Sequence, residues 1–371
     1  MGVVTDTLRV TLGGGSYDVV IADGLITSVG ERIAALTNAA RVALVTDTHV
    51  DRLFGDVVAR SLVDAGLAVE RVTVAPGEGS KSWDVAGGLL QSMSEAGMRR
   101  GDAVVALGGG VVGDLAGFCA AVYMRGIAVV QVPTTLLAQV DSAIGGKTGV
   151  DLPRGKNLVG AFHHPLAVLA DPAVLATLPE PEWLSGLAEV AKSAFLDSEA
   201  SVARLEADAS ALRSRDAAAT LRAVVMAAGL KARVVSADPL EGGIRESLNY
   251  GHTLGHALEA VAGYGVVPHG RAVADGIRFA ARLATDVAGA GPAWEARQEA
   301  LLDALGLAPT GAACSTGDAA ALRRAMSADK KARSSTVRFA LVPEPGGYLP
   351  IEANEAVLAE HLDRWCAARP R

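Results

Sequence analysis

Between residues 41 and 133, short runs of β-branched residues alternate with longer stretches of helical periodicity. That alternation predicts a parallel sheet covered by helices. The strand candidates are 41–46, 68–74, 103–107 and 127–132, with helical patterns at about 50–65, at 81–96 and from a Gly-rich turn to about residue 124. Residues 7–22 have strand character on either side of Gly13-Gly14-Gly15 and read as a hairpin beside that sheet. Past Leu178-Pro179-Glu180-Pro181 the texture becomes Ala- and Leu-rich and helical, at 182–197, 199–211, 217–236, 247–262, 272–288 and 293–305; strand signal returns only at 337–342. The expected organisation is an α/β domain over 1–178 and a mainly helical domain over 179–371. The cleft between two such halves is the natural place for a ligand.

Composition narrows the function classes. Half of the 371 residues are hydrophobic and a fifth are charged, as in a soluble globular protein with room for a substantial core. The net charge of -7 offers no support for a nucleic-acid or anionic-membrane partner, though a local basic pocket could still hold a phosphate. Cys119, Cys314 and Cys366 are far apart and lack CxxC spacing, which argues against a disulfide framework or a thiolate zinc site and suits a reducing, cytoplasmic setting. The start of the chain lacks the basic-then-apolar order of a signal peptide. Residues 103–123 come nearest to a membrane span, but five glycines and Asp114 interrupt them.

Glycine, at 42 residues or about 11% against a typical ~7%, clusters where chemistry is expected. In ALGGGVVGDLAGF, Gly108, Gly110 and Gly113 satisfy G-x-G-x-x-G between a strand and a helix, a place where phosphate can approach backbone N–H groups. The acidic residue that should end the next strand of an ordinary dinucleotide fold is absent, and Pro133-Thr134-Thr135 stand there instead. A tight strand-to-helix turn is the plainer explanation of these glycines. A second cluster, QVDSAIGGKTGVDLPRGKN, gathers Asp141, Lys147, Arg154, Lys156 and Asn157 among glycines that indicate a loop; it reads as an anion site or as a solvated loop. Both glycine clusters are expected to be binding loops whose backbone approaches a cofactor or an anion without Cβ atoms in the way.

The helical half carries Glu189 in GLAEVAKSA, His252 and His256 in NYGHTLGHALE, and His269 in VPHGRAV. His252 and His256 share a helix face at i, i+4, but Thr253 stands where HExxH needs its glutamate, so a zincin-type protease is excluded. Two histidines and a carboxylate would suit catalytic zinc or a similar ion; helix-face histidines with ordinary hydrogen bonds remain the alternative, and His163-His164 form a rival pair. Asp329-Lys330-Lys331 with Arg333 is either a solvated helix end or a closure over an anion.

Taken in order, PGEGSK, GGGVVGDLAGF, PTTLLAQVDSAIGGKTGV, GKN, GLAEVAK, RESLNYGHTLGHALE, HG and DKKAR resemble the 3-dehydroquinate synthase family of sugar-phosphate cyclases, from about residue 17 to 342. The resemblance implies an α/β N-terminal dinucleotide-binding domain with a parallel sheet, followed by an all-helical metal-binding domain. It implies zinc (or cobalt) held by Glu189, His252 and His269, with His256 as a nearby acid–base or orienting group. For NAD it implies Asp47, Glu78, Lys81, Gly109, Gly110, Asp114, Thr134, Thr135 and Thr177. For a phosphorylated sugar-acid substrate it implies Arg125, Asp141, Lys147, Lys156, Asn157, Lys192, Lys231, Arg245, Asn249 and Lys330 or Lys331, with Arg125, Lys147, Lys192, Asn249 and His256 in catalytic roles. The implied activity is conversion of 3-deoxy-D-arabino-heptulosonate 7-phosphate (DAHP) to 3-dehydroquinate and phosphate in the shikimate pathway, by transient NAD oxidation, phosphate elimination, reduction and aldol cyclisation. A homodimer is implied as well.

The chain departs from the family pattern at Arg271, where Glu commonly follows His-Gly, at Pro239, where an acidic residue is common, and at His49, where Asn is frequent. Arg271 bears on how His269 is held. An aminodehydroquinate synthase or another cyclase of secondary metabolism would keep nearly the same residues. A metal-dependent polyol or glycerol-phosphate dehydrogenase would share the architecture without needing the anion-binding set, and a non-catalytic NAD- or metal-binding scaffold would not need an intact ligand set.

Overall fold

A computed structural model describes residues 6–153, 155–263, 265–310, 319–328 and 336–367. The chain forms two compact units: the first comprises Met1–Leu178 with Lys231–Leu240, the second Pro179–Leu230 with Glu241–Arg371.

In the first unit, β1 (Asp6–Leu12) and β2 (Gly15–Ile21) make an antiparallel hairpin at the edge of a seven-stranded sheet that is otherwise parallel. The parallel strands are β3 (Arg41–Asp47), β4 (Ala68–Val74), β5 (Ala103–Gly108), β6 (Ala128–Pro133) and β9 (Ala167–Ala170), in the sheet order β1-β2-β9-β6-β5-β3-β4. After β4 is laid on one side of β3, the chain returns to place β5 on the other side. The strand order therefore reverses between β3 and β5, and the crevice at their carboxyl ends is where such sheets take ligands. Alternate residues Ala43, Val45, Val104 and Ala106 of these strands turn to one face, where they form a buried core with Ala86, Leu89 and Met93 of the helix Trp83–Glu95 and with Leu115, Phe118 and Cys119 of the helix Gly110–Val122. Helix α1 spans Val29–Leu36, α2 Asp56–Asp64, α3 Trp83–Glu95 and α4 Gly110–Val122.

The glycine-rich stretch after β6, expected to be a loop, instead forms an antiparallel hairpin of β7 (Lys147–Leu152) and β8 (Gly155–Phe162). Glycine is what allows it: a Cβ on Gly149 would lie 2.9 Å from the Val159 carbonyl oxygen, and one on Gly160 2.3 Å from that of Thr148. A side chain at either position would force the strands apart.

The second unit is helical: α5 (Glu180–Asp197), α6 (Glu199–Arg213), most of α7 (Ala217–Ala237), α8 (His252–Ala262), α9 (His269–Val287), α10 (Pro292–Ala304), α11 (Ala319–Ala328) and α12 (Glu355–Ala367). It is not all-helical. Strands β10 (Val337–Leu341) and β11 (Leu349–Ala353) make an antiparallel ribbon, anchored where Phe339 stacks at 5.9 Å on Phe279 of α9. The helix expected over 247–262 is also broken: a 3-10 turn covers Ile244–Asn249, and α8 starts afresh after Gly251, whose φ of 80° is left-handed.

The boundary after residue 178 needs one correction, because the last turns of α7 belong to the first unit. Lys231 pairs with Asp141, and the Ser236 hydroxyl accepts a hydrogen bond from the Thr11 backbone N–H at 2.9 Å. No helix of the described residues is long and apolar enough to cross a membrane.

Candidate active site

The second unit brings Glu189, His252 and His269 together, with their ligand atoms within 4.8 Å of one another. Glu189 sits in the buried middle of α5; the two histidines are the first residues of α8 and α9. Three helix backbones must approach closely for this, and glycines permit it. A Cβ on Gly270 would fall 2.2 Å from Ser185 Cα, one on Gly276 1.8 Å from the Gly251 carbonyl oxygen, and one on Gly255 3.2 Å from the Ala272 backbone.

Glu189 Oε1 lies 3.5 Å from His252 Nε2 and 3.6 Å from His269 Nε2. The other nitrogen of each ring is engaged: His252 Nδ1 contacts the Tyr250 carbonyl at 3.2 Å, and His269 Nδ1 contacts Glu259 Oε2 at 3.1 Å. With Nδ1 donating, each Nε2 presents a lone pair. Burial, reinforced by neighbouring Lys192, His256 and His269, pulls the His252 pKa well below the ordinary value despite Glu189. His269 goes the other way, because Glu189 and Glu259 outweigh its burial and raise the pKa to about 10. A divalent ion would displace that proton, as metal binding to histidine generally does. Two imidazole nitrogens and one carboxylate oxygen, oriented from behind, fit zinc or cobalt.

Lys192 pairs with Glu189 one helical turn on, and both side chains are 1% exposed. The ring of His256 stands 5.3 Å from that of His252 and 6.1 Å from that of His269, and His256, Glu259 and His269 form a second three-residue group of ligand type. Asn249 donates to the Glu246 carbonyl at 3.1 Å and approaches Glu241 at 3.4 Å, while Arg245 is buried in the same 3-10 turn. Arg271 donates to the Ala308 carbonyl at 3.1 Å. Lys330 and Lys331 lie outside the described residues.

In the first unit two of the expected nucleotide and anion residues, Asp114 and Asn157, meet at Lys81, which is 4% exposed. Its ammonium lies 2.5 Å from Asp114 Oδ2 and also meets the Asn157 side-chain oxygen. Lys156 reaches Glu78 at 3.5 Å. The Asn157 backbone, left-handed at φ 55°, is fixed by donating to Asp151 at 2.7 Å. Burial raises the Asp114 pKa against the pull of Lys81; burial pulls the Lys81 pKa down, but Asp114, Glu78 and Asp151 together carry it up.

At the carboxyl ends of β3, β5 and β6 stand Asp47, Gly109 at the N-cap of α4, Gly110, and Thr134. The hydroxyls of Thr46, Thr134 and Ser142 are buried there without a hydrogen-bond partner among the described residues. Orphaned hydroxyls beside a helix N-terminus at the switch point fit a nucleotide with phosphates. Asp47 already caps the turn after β3, accepting from His49 and Val50 at 2.8 and 3.0 Å. Thr135 Oγ1 accepts from Ala138 N–H at 3.2 Å, and Thr177 donates to the Val174 carbonyl at 2.9 Å. Asp141 is paired with Lys231, so that lysine stands in the first unit. Lys147 is exposed at the start of β7, and Arg125 is exposed on a left-handed turn with φ 68°.

The glycines of the strand-to-helix turn also answer to packing. Cβ atoms on Gly108, Gly109 and Gly113 would strike Val112 at 2.6 Å, Thr135 at 2.9 Å and Gln131 at 2.8 Å. Their missing side chains therefore serve close packing within the protein, whatever approaches the backbone. Sequence reasoning also passed over Glu259 and Asp151, which hold His269 and Asn157. Both lie inside segments it singled out, and the i, i+7 spacing of His252 and Glu259 was the available signal.

The 3-dehydroquinate synthase N-terminal family model matches residues 71–185, and the 3-dehydroquinate synthase C-terminal model matches 186–332. A 3-dehydroquinate synthase of Caulobacter vibrioides (strain NA1000 / CB15N) is 46% identical over 367 residues, covering 96% of this chain and 96% of its own. One from Nitrobacter winogradskyi is 46% identical over 373 residues, covering 98% and 97%. Among solved structures, 2-epi-5-epi-valiolone synthase from Streptomyces hygroscopicus subsp. jinggangensis 5008, with NAD+ and Zn2+ bound, superposes with a TM-score of 0.86 at 27% identity over 97% of this chain and 99% of that one. A 2-deoxy-scyllo-inosose synthase complexed with carbaglucose-6-phosphate, NAD+ and Co2+ shares the fold, at a TM-score of 0.86 and 23% identity over 97% and 100%. With both family models matched and such identity along nearly the whole length, the chain belongs to the 3-dehydroquinate synthase family.

Proposed function

We propose that the chain converts DAHP to 3-dehydroquinate and phosphate, the step of the shikimate pathway that closes the carbocycle, as a phosphorus–oxygen lyase. The reading is carried by membership of the 3-dehydroquinate synthase family together with the convergence of Glu189, His252 and His269 in one unit. Those three residues would hold a divalent ion, zinc or cobalt. NAD would take Asp47, Glu78, Lys81, Gly109, Gly110, Asp114, Thr134, Thr135 and Thr177. When bound, these two groups would supply reversible oxidation of a secondary alcohol and Lewis-acid polarisation of its oxygen.

The remaining chemistry falls to the chain's own side chains. Lys147, Lys156 and Asn157, with Arg125, are the donors we assign to the phosphate, both to bind it and to stabilise its charge as it leaves. Arg245 and Asn249 are assigned to the carboxylate and hydroxyls, and Lys330 or Lys331 to the same anionic substrate. Lys192 would hold a proton at Nζ beside the Glu189 carboxylate, and His256 would move one at a ring nitrogen. Asp141 and Lys231 would orient substrate hydroxyls as a pair. Fixing a substrate at both ends supplies much of the rate for each step. A cytoplasmic homodimer completes the reading.

The discriminating experiment offers the purified protein, with NAD and zinc, DAHP, its 4-amino-4-deoxy analogue and sedoheptulose 7-phosphate in turn. Highest kcat/KM on DAHP, with 3-dehydroquinate as product, is expected. Preference for the amino analogue would move the protein to aminodehydroquinate synthesis, and preference for sedoheptulose 7-phosphate to another cyclase.

A further inference from the structure

His252, His256 and Glu259 occupy positions i, i+4 and i+7 of α8 and therefore lie on one stripe of the helix. The stripe faces the first turn of α9, where the His269 ring stands 5.5 Å from that of His252. Glu259 Oε2 approaches His269 Nδ1 at 3.1 Å, on the opposite edge of the ring from the Nε2 that faces Glu189. The Glu259 side chain is 7% exposed, whereas that of His269 is 33% exposed and begins its helix directly after Pro268. The nearby Arg271 is engaged with the Ala308 carbonyl.

We propose that Glu259 is the positioning residue for His269: its carboxylate accepts the Nδ1 proton, and so fixes the tautomer and the ring angle that present Nε2 to the ion. This rests on reading Glu189, His252 and His269 as the metal ligands. A carboxylate in this place does two things that a carbonyl does less well. It holds the ring by a charge-assisted hydrogen bond, and it makes Nε2 a stronger donor. His252, backed by the neutral Tyr250 carbonyl at 3.2 Å, lacks that help but is more deeply buried, at 12% exposure. The two histidines are thus held in different ways, one by packing and one by Glu259.

The test titrates metal-free protein with Zn2+ against a chromophoric chelator and measures the melting temperature of the metal-free form. Glu259→Gln keeps the size of the side chain and removes its charge. We expect zinc affinity to fall roughly 10–100-fold, the usual cost of losing such a partner, with the metal-free melting temperature unchanged; His252→Ala should abolish binding. Unchanged zinc affinity in Glu259→Gln, with His252→Ala still unable to bind, overturns the role of Glu259 and leaves the ligand set standing. A loss of affinity matched by a loss of metal-free stability marks a structural role and also overturns it. Should His252→Ala retain zinc while His256→Ala loses it, the ion sits on His256, Glu259 and His269, and both readings fall.

Discussion

A hydrogen atom at Gly270 lets the backbone of α9 touch Ser185 of α5, and on that contact depends the distance between His269 and Glu189. Gly270→Ala would place a methyl 2.2 Å from the Ser185 Cα, where only backbone can yield. We expect it to cost about 3 kcal/mol by overpacking and to weaken zinc binding at the same time. Gly88 is the contrast. It is exposed in the middle of α3, and a Cβ there meets nothing within 4 Å, so Gly88→Ala should stabilise by about 0.5–1 kcal/mol through helix propensity. Thermal or denaturant melts of the two variants check both signs; two neutral outcomes would sink the packing account. The excess of glycine was plain in the composition, but its meaning lay in which neighbour each absent Cβ would have met, and a neighbour distant in sequence leaves no mark on the local pattern.

The β7–β8 hairpin makes the same point for an element. Gly145, Gly146, Gly149, Gly155 and Gly160, with Pro153, dilute the strand signal of this stretch, so its spacing reads as loop. The pairing is imposed from outside by α4, whose Gly117 leaves room for Thr148: a Cβ there would lie 2.5 Å from Thr148 Cγ2. The buried, valine-rich strands β3, β5 and β6 and the half-buried β4 were legible within a residue or two. So were most of the long helices; the exceptions are the start of α8, which one left-handed glycine decides, the start of α9, three residues before the expected 272, and α12, which no expectation covered. Because the hairpin carries Lys147, Lys156 and Asn157, spreading its strands should disturb phosphate binding and leave the metal alone. Gly160→Val, which drives a side chain into the Thr148 carbonyl at 2.3 Å, is expected to raise KM for DAHP at least tenfold, about 1.4 kcal/mol, with zinc content unchanged. An unaltered KM would detach the hairpin from substrate binding.

For the whole molecule, the order of elements along the chain made the two-part organisation readable, and the texture change at 179 lies at the edge of the first compact unit. The return of Lys231–Leu240 to that unit was not readable, since it depends on the ion pair with Asp141 and the hydrogen bond between Thr11 and Ser236. The proposed ligand set of Glu189, His252 and His269 was nameable only through the family resemblance; spacing alone left His252 and His256 as equal candidates. What the two units are assigned to do together is a reaction in which nicotinamide is oxidant and then reductant within one turnover. The most direct measurement follows phosphate and nicotinamide absorbance in one reaction with DAHP, catalytic NAD and zinc. One phosphate released per DAHP consumed, with no net NADH, is the predicted result; NADH accumulating in step with substrate consumed, without phosphate release, would contradict it and make the protein a simple dehydrogenase.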